Sequence, residues 1–207
     1  MTSQQWQPAQ GATLPKDISA SFTLTTPPGT DIWRPEKTSD VFSAPYIYTV
    51  MNPLAFDRMR IILSADWKTK YDQGGLFLAF PRHDAPLSWI KAGIETYNGK
   101  PALSVVGTDR FSDWSLCPLP EGQRNATIEA VRSETTLWVY SISEEGQSQP
   151  LREIKWAFID AMPSDKTSSD VEQLRVGVYA AKPTADEGTA DAKLDVHFEG
   201  LDVQTRA

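Results

Sequence analysis

The chain has 207 residues, with 20 Lys+Arg against 27 Asp+Glu and a formal charge of −7. That length suits one well-buried domain, and an acidic chain without a basic run is poorly suited to neutralising phosphate backbones or anionic lipid headgroups. The single cysteine, Cys117, excludes an intrachain disulfide and leaves no cysteine set for a structural zinc, so burial has to hold the fold.

Residues 1–15 lack the basic and apolar regions of a secretory signal and read as a flexible leader, and no stretch approaches the ~18 apolar residues of a membrane span. A cytoplasmic protein that engages neither nucleic acid nor membrane is expected. Asn125-Ala126-Thr127 matches the glycosylation acceptor pattern, which without a secretory signal is a coincidence. Short runs of alternating apolar and polar residues, bounded by Pro, Gly, Asn and Asp, predict strands over 18–24, 46–50, 56–63, 75–80, 89–97, 102–108, 126–132, 136–142, 151–158, 174–181 and 193–203. Residues 156–162 are the best helix-period stretch, ended by Pro163, yet they alternate well enough for a strand. Residues 163–170 and 183–191 are small, polar and acidic and read as surface loops. Many short strands without intervening helices imply an all-β fold of two packed antiparallel sheets, a sandwich or jelly roll in one domain.

Several blocks are more specific. Tyr71-Asp72-Gln73-Gly74-Gly75-Leu76, Trp89-Ile90-Lys91-Ala92-Gly93-Ile94-Glu95, and Val105-Val106-Gly107-Thr108 running into Ser112-Asp113-Trp114-Ser115 form one group. Val176-Gly177-Val178-Tyr179-Ala180-Ala181-Lys182-Pro183 and Phe198-Glu199-Gly200-Leu201 complete it. Together they resemble the standalone concanavalin A-like domains of domain of unknown function 1349, also called the regulation-of-enolase type. The resemblance implies a jelly-roll sandwich related to lectins, laminin G-like domains and the C-terminal domain of some β-xylosidases, with the concave sheet as the usual ligand surface. It implies no catalytic assignment, because this fold hosts binders and enzymes alike.

The residues themselves fix one piece of geometry. Asn98-Gly99 suits a two-residue type I′ turn, since both positions accept positive φ. Tyr97 then opposes Lys100, Glu95 opposes Ala102, Gly93 opposes Ser104, Lys91 opposes Val106 and Trp89 opposes Thr108. Alternation sends Ile90, Ala92, Ile94, Leu103 and Val105 into the core, and Trp89, Lys91, Glu95, Tyr97 and Ser104 to the other face. A hollow at Gly93 and Ser104 is expected between Lys91 and Glu95, which lie about 13 Å apart along the strand and so require other partners. Asp72, Asp113 and Arg152 are the candidate suppliers of counter-charge. A solvated outer sheet carrying ordinary surface charges is the competing reading.

Gly74-Gly75 suggests a bulge or a close approach of another backbone or ligand. Asp72 and Gln73 at the strand entry read equally as ligand contacts or, for Asp72, as the cap of a turn. The Ser112–Ser115 block suits a tight turn, with Trp114 either plugging the sandwich edge or stacking on a flat ligand. Trp138, Tyr140 and Tyr179 occupy strand positions compatible with either face.

His83 and His197 are far apart in sequence and form no metal-ligating spacing, and there is no phosphate loop, nucleophile elbow or Cys–His pair. No metal or cofactor is therefore expected, and the paired-carboxylate pattern of a jelly-roll glucanase is absent. The leading expectation is a small-molecule, carbohydrate or protein partner bound by Asp72, Gln73, Trp89, Lys91, Glu95, Tyr97, Ser104 and Trp114. The alternative is a cofactor-independent isomerase, lyase or cyclase in the same hollow, with Lys91 polarising an oxyanion and Glu95 or Asp72 moving a proton.

Overall fold

A computed structural model describes residues 4–37, 39–81, 86–159 and 173–206. The alternating runs become strands because one face of each is apolar: in β2 (Phe22–Thr26), Phe22, Leu24 and Thr26 are buried while Thr23 and Thr25 are exposed. The other strands are β1 (Gln7–Ala9), β3 (Ile32–Glu36), β4 (Ser39–Phe42), β5 (Tyr46–Met51), β6 (Phe56–Ala65), β7 (Gln73–Phe80) and β8 (Ser88–Tyr97). They continue as β9 (Lys100–Thr108), β10 (Ser112–Pro118), β11 (Asn125–Ser133), β12 (Thr136–Ile142), β13 (Ser148–Ile154), β14 (Leu174–Ala181) and β15 (Leu194–Thr205).

Seven strands form one sheet in the order β1-β5-β14-β7-β8-β9-β10, and six form another in the order β13-β12-β11-β6-β15-β2, with antiparallel neighbours throughout. Ile47, Leu76, Ile90, Ile94 and Val178 of the first meet Met59, Ile61, Leu63, Ile128 and Val196 of the second in a continuous core. This is the predicted jelly-roll sandwich, and the β8–β9 register is the predicted one at every pair from Trp89 with Thr108 to Tyr97 with Lys100. Asn98 and Gly99 take φ values of 50° and 73°, as the turn demands.

Several expectations change. Gln7–Ala9, placed by sequence in a flexible leader, pairs with Tyr46–Tyr48 at the sheet edge. The Ser112–Ser115 block is extended strand rather than tight turn, because its even positions pack beside β9 while its odd ones face water. No bulge occurs at Gly74-Gly75; the ladder from Gln73 with Glu95 to Phe80 with Ser88 is unbroken. The strand predicted over 151–158 ends at Ile154, after which the backbone turns, and the helix-compatible reading of 156–162 is described only to Ile159, also as turn. His83 and residues 163–170 lie outside the described residues.

A separate two-stranded hairpin, β3 with β4, lies on the outer face of the seven-stranded sheet. Its Ile32 and Phe42 join Tyr46, Phe77, Trp89, Val106 and Tyr179 in a second apolar cluster. Buried Arg34 fastens the hairpin: its guanidinium donates to Asp40 at 2.6 Å, to the Leu87 carbonyl at 2.6 Å and to the Asp109 carbonyl at 3.0 Å. The sheet face predicted to be open is thus partly roofed.

Candidate functional site

Gly75 of β7 and Gly93 of β8 are direct partners, and alternation puts them on the outer face with Gln73, Phe77, Lys91 and Glu95. A Cβ on either glycine would collide with neighbouring backbone, Ala92 O and Gly74 O respectively, so these strands approach closely only because both side chains are missing. The result is a low floor with Lys91 on one side and Glu95 on the other.

Lys91 is 2% exposed. Its Nζ donates to Gln73 Oε1 at 2.6 Å and lies 3.7 Å from Asp31 Oδ1. The rings of Trp33, Trp89 and Tyr179 surround it at 5.9, 5.8 and 5.7 Å from Nζ to centroid. Gln73 ties the group together: its Nε2 donates to Asp31 Oδ1 at 3.2 Å, and its Oε1 also accepts from Tyr179 OH at 3.4 Å. Burial pulls the Lys91 amine below its ordinary pKa, and the negative charges of Asp31 and Glu95 offset only part of that effect.

Glu95, 6% exposed, accepts from Ser104 Oγ at 2.8 Å, and Ser104 Oγ in turn accepts from Trp114 Nε1 at 3.1 Å. Burial pushes the Glu95 carboxyl above its ordinary range, against the opposing influence of the Lys91 charge and the Ser104 hydrogen bond. The Tyr179 hydroxyl is raised well above the ordinary phenol range by burial, then by the charges of Glu95 and Asp31. The site therefore holds two carboxyl groups around one ammonium, with a carboxyl that takes up a proton more readily than a solvated one.

Half-buried aromatic rings stand beside Glu95. Trp114 meets Tyr97 edge-on at 5.3 Å, and Tyr71 lies 6.3 Å from both. Tyr71 sits at φ 72°, a left-handed conformation unusual for a bulky residue, held by its N–H bond to the Thr96 carbonyl at 2.7 Å.

Of the residues singled out by sequence, Gln73, Lys91, Glu95, Tyr97, Ser104 and Trp114 come together on this face. Trp89 shares the face but is fully buried beside Phe42, with no partner for its indole N–H among the described residues, so it belongs to the packed cluster under the hairpin. Asp72 points the other way, as alternation from Gln73 requires. Its Oδ2 accepts from the amides of Lys68 and Thr69 at 3.2 and 2.9 Å, which is the turn cap, and its Oδ1 accepts from Lys182 Nζ at 3.0 Å. It does not supply Lys91 with counter-charge. Asp113 and Arg152 do not either; they pair with each other at 2.5 Å near the sheet edge. The supplier is Asp31, which sequence reasoning missed because it precedes a short, Pro-interrupted hairpin strand and lies 42 residues from Gln73. Tyr179 faces this site, whereas Trp138 and Tyr140 stack on each other at 6.0 Å on the six-stranded sheet.

Beyond Asp72 lies a polar cavity of about 300 Å³ lined by Asp66, Lys68, Lys182 and Asp186 and by Asp195 and His197 of β15. His197 is exposed and shares a 2.8 Å hydrogen bond with Thr23. Among the described residues, no group of three or more His, Cys, Asp or Glu is placed to hold a metal ion.

Residues 9–206 match the family described as "Protein of unknown function (DUF1349)". "Uncharacterized protein AN7484" of Emericella nidulans is 39% identical over 194 residues, 92% of this chain and 90% of its own length. "Regulation of enolase protein 1" of Saccharomyces cerevisiae is 26% identical over 148 residues, 69% of this chain and 72% of its own. A solved structure of a functionally unknown protein from Saccharomyces cerevisiae superimposes with a TM-score of 0.72 at 22% identity, covering 98% of this chain and 97% of that one. The GH43 protein BlXynB of Bacillus licheniformis superimposes with a TM-score of 0.58 at 12% identity, over 89% of this chain and 33% of that one. Both structural likenesses show the fold alone. Matched over residues 9–206, the chain belongs to the DUF1349 family, with the fold of a two-sheet antiparallel β-sandwich.

Proposed function

We propose that the outer face of the seven-stranded sheet binds a small polar ligand, a carbohydrate or other small metabolite, in the cytoplasm. The observation that carries this reading is the burial of Lys91 and Glu95 on a glycine-floored face beside the half-buried Tyr71, Tyr97 and Trp114. A sandwich needs no buried charge on its outer sheet face; such groups cost desolvation and are retained where they orient something. The rings supply stacking surface, and the Glu95–Ser104–Trp114 chain supplies hydrogen bonding. The name of the yeast relative supports a regulatory consequence for such binding.

The test is titration with a panel of neutral sugars, sugar acids and small carboxylates, followed by tryptophan fluorescence and calorimetry. A hit should weaken about tenfold or more in Lys91→Met or Glu95→Gln, the loss of one charge-assisted hydrogen bond. A hit with unchanged affinity in both variants would place binding elsewhere.

The opposite displacement of the two pKa values favours a second reading, a cofactor-independent isomerase or lyase. Burial moves the Glu95 carboxyl and the Lys91 amine each toward neutrality, as acid–base chemistry requires. Turnover of any bound hit, abolished in Glu95→Gln while binding persists, separates catalysis from binding.

A further inference from the structure

The rings beside Glu95 already carry a cation. Lys70 Nζ stands 4.7 Å from the Tyr71 centroid and 5.7 Å from the Tyr97 centroid. The two tyrosine rings lie 6.3 Å apart and are inclined by only 34°, so they act as one platform for that ammonium, and Trp114 closes edge-on against Tyr97. Lys70 is exposed, so its side chain is free to leave without unmaking core packing. Tyr97 follows Glu95 by two residues on the same strand face, about 6.6 Å along the chain.

The charges behind the platform are unbalanced. Asp31 and Glu95 both act on the buried cation Lys91, and Lys91 is held to Asp31 and Gln73 rather than to Glu95. Glu95 has hydrogen-bond donors in Ser104 and, through it, Trp114, but among the described residues no cation in contact. A neutral guest would leave that surplus untouched, and an anionic one would add to it. A cationic guest gains from the ring faces and from the carboxyl together.

We propose that the ligand of this face carries an ammonium group, which takes the place of Lys70 Nζ on the Tyr71–Tyr97 platform and is balanced by Glu95. This rests on the reading of the face as a small-molecule site and narrows the ligand to a small organic cation. Lys70 is then an internal competitor, a tethered surrogate that covers the rings when the guest is absent.

The experiment uses the full chain and two probes of equal shape: choline, and its carbon isostere in which a tert-butyl group replaces the trimethylammonium group. Binding is followed by tryptophan fluorescence and by the chemical shifts of the tyrosine rings. Choline should bind about tenfold tighter than the neutral isostere. Tyr97→Leu and Glu95→Gln should each weaken choline about fivefold or more, with circular dichroism confirming the fold, and Lys70→Ala should tighten it at least about twofold. Equal affinity for the two probes, no binding of choline, or a choline affinity indifferent to Glu95→Gln and Lys70→Ala would each overturn the inference. If a neutral sugar binds in a Lys91-dependent manner while choline does not, the ammonium inference fails alone and the site survives; if nothing in either panel depends on Lys91 or Glu95, both fail.

Discussion

Two lysines among the described residues are almost completely withdrawn from water, and the protein treats them in opposite ways. Lys182 is clasped by Asp72 at 3.0 Å and Asp186 at 2.5 Å. Burial alone would depress its pKa, but the hydrogen bonds to Asp186 and Asp72, with their charges, more than reverse this and raise it. Lys91 has a neutral amide at 2.6 Å and, among the described residues, its nearest carboxylate only at 3.7 Å, and its pKa falls. The first is a completed ion cluster joining loop to loop; the second is a charge kept short of compensation. Incomplete neutralisation, rather than burial, distinguishes the candidate site from structural electrostatics in the same chain.

The largest test breaks the completed cluster. Lys182→Ala leaves the Asp72 carboxylate buried beside two amides, and should cost about 3–5 kcal/mol in denaturant unfolding. Gly93→Ala should follow at about 3 kcal/mol, because the added carbon meets the Gly74 carbonyl and neither strand can yield. Lys91→Met should cost less than about 1 kcal/mol, since it removes a charge that folding disfavours and Asp31 remains partly solvated. A Lys91→Met cost as large as that of Lys182→Ala would erase the contrast.

The smallest effect is read against pH. Because the Glu95 carboxyl is raised in the folded state, the folded protein holds this proton more tightly than the unfolded chain. That contribution to stability is fully present at acid pH and is lost as pH climbs from the ordinary carboxylate range through the raised value. Glu95→Gln should therefore match the wild type in acid and melt at a higher temperature above that range, by a few degrees at most. A variant less stable than wild type at neutral pH would mean that the ionised carboxylate is well compensated after all.

Much of this was readable from local sequence. Asn98-Gly99 alone fixed five cross-strand pairs and hence which side chains share a face with Lys91, because a period of two propagates one turn's geometry along both strands. Residues 31–42 and the Ser112–Ser115 block were not readable. Ile32–Glu36 is short and broken by Pro35, and β10 is an edge strand whose serines and Asp113 imitate a turn. Contacts closed by tertiary structure were equally hidden: Asp31 reaches Gln73 across 42 residues and Lys182 reaches Asp72 across 110, distances over which no periodicity carries information. The one signal that pointed to Asp72 as a cap, an Asp ahead of a paired glycine, was present but ambiguous.

The carboxylate nearest Lys91 belongs to neither large sheet; Asp31 stands at the root of the small β3–β4 hairpin pinned by Arg34. Protonation of that amine and seating of this hairpin are consequently coupled: whatever lifts the hairpin strips the ammonium of its counter-ion, and whatever discharges the amine removes one of the contacts that seat the hairpin. Amide exchange along 32–42 should report on Lys91 without anyone touching it.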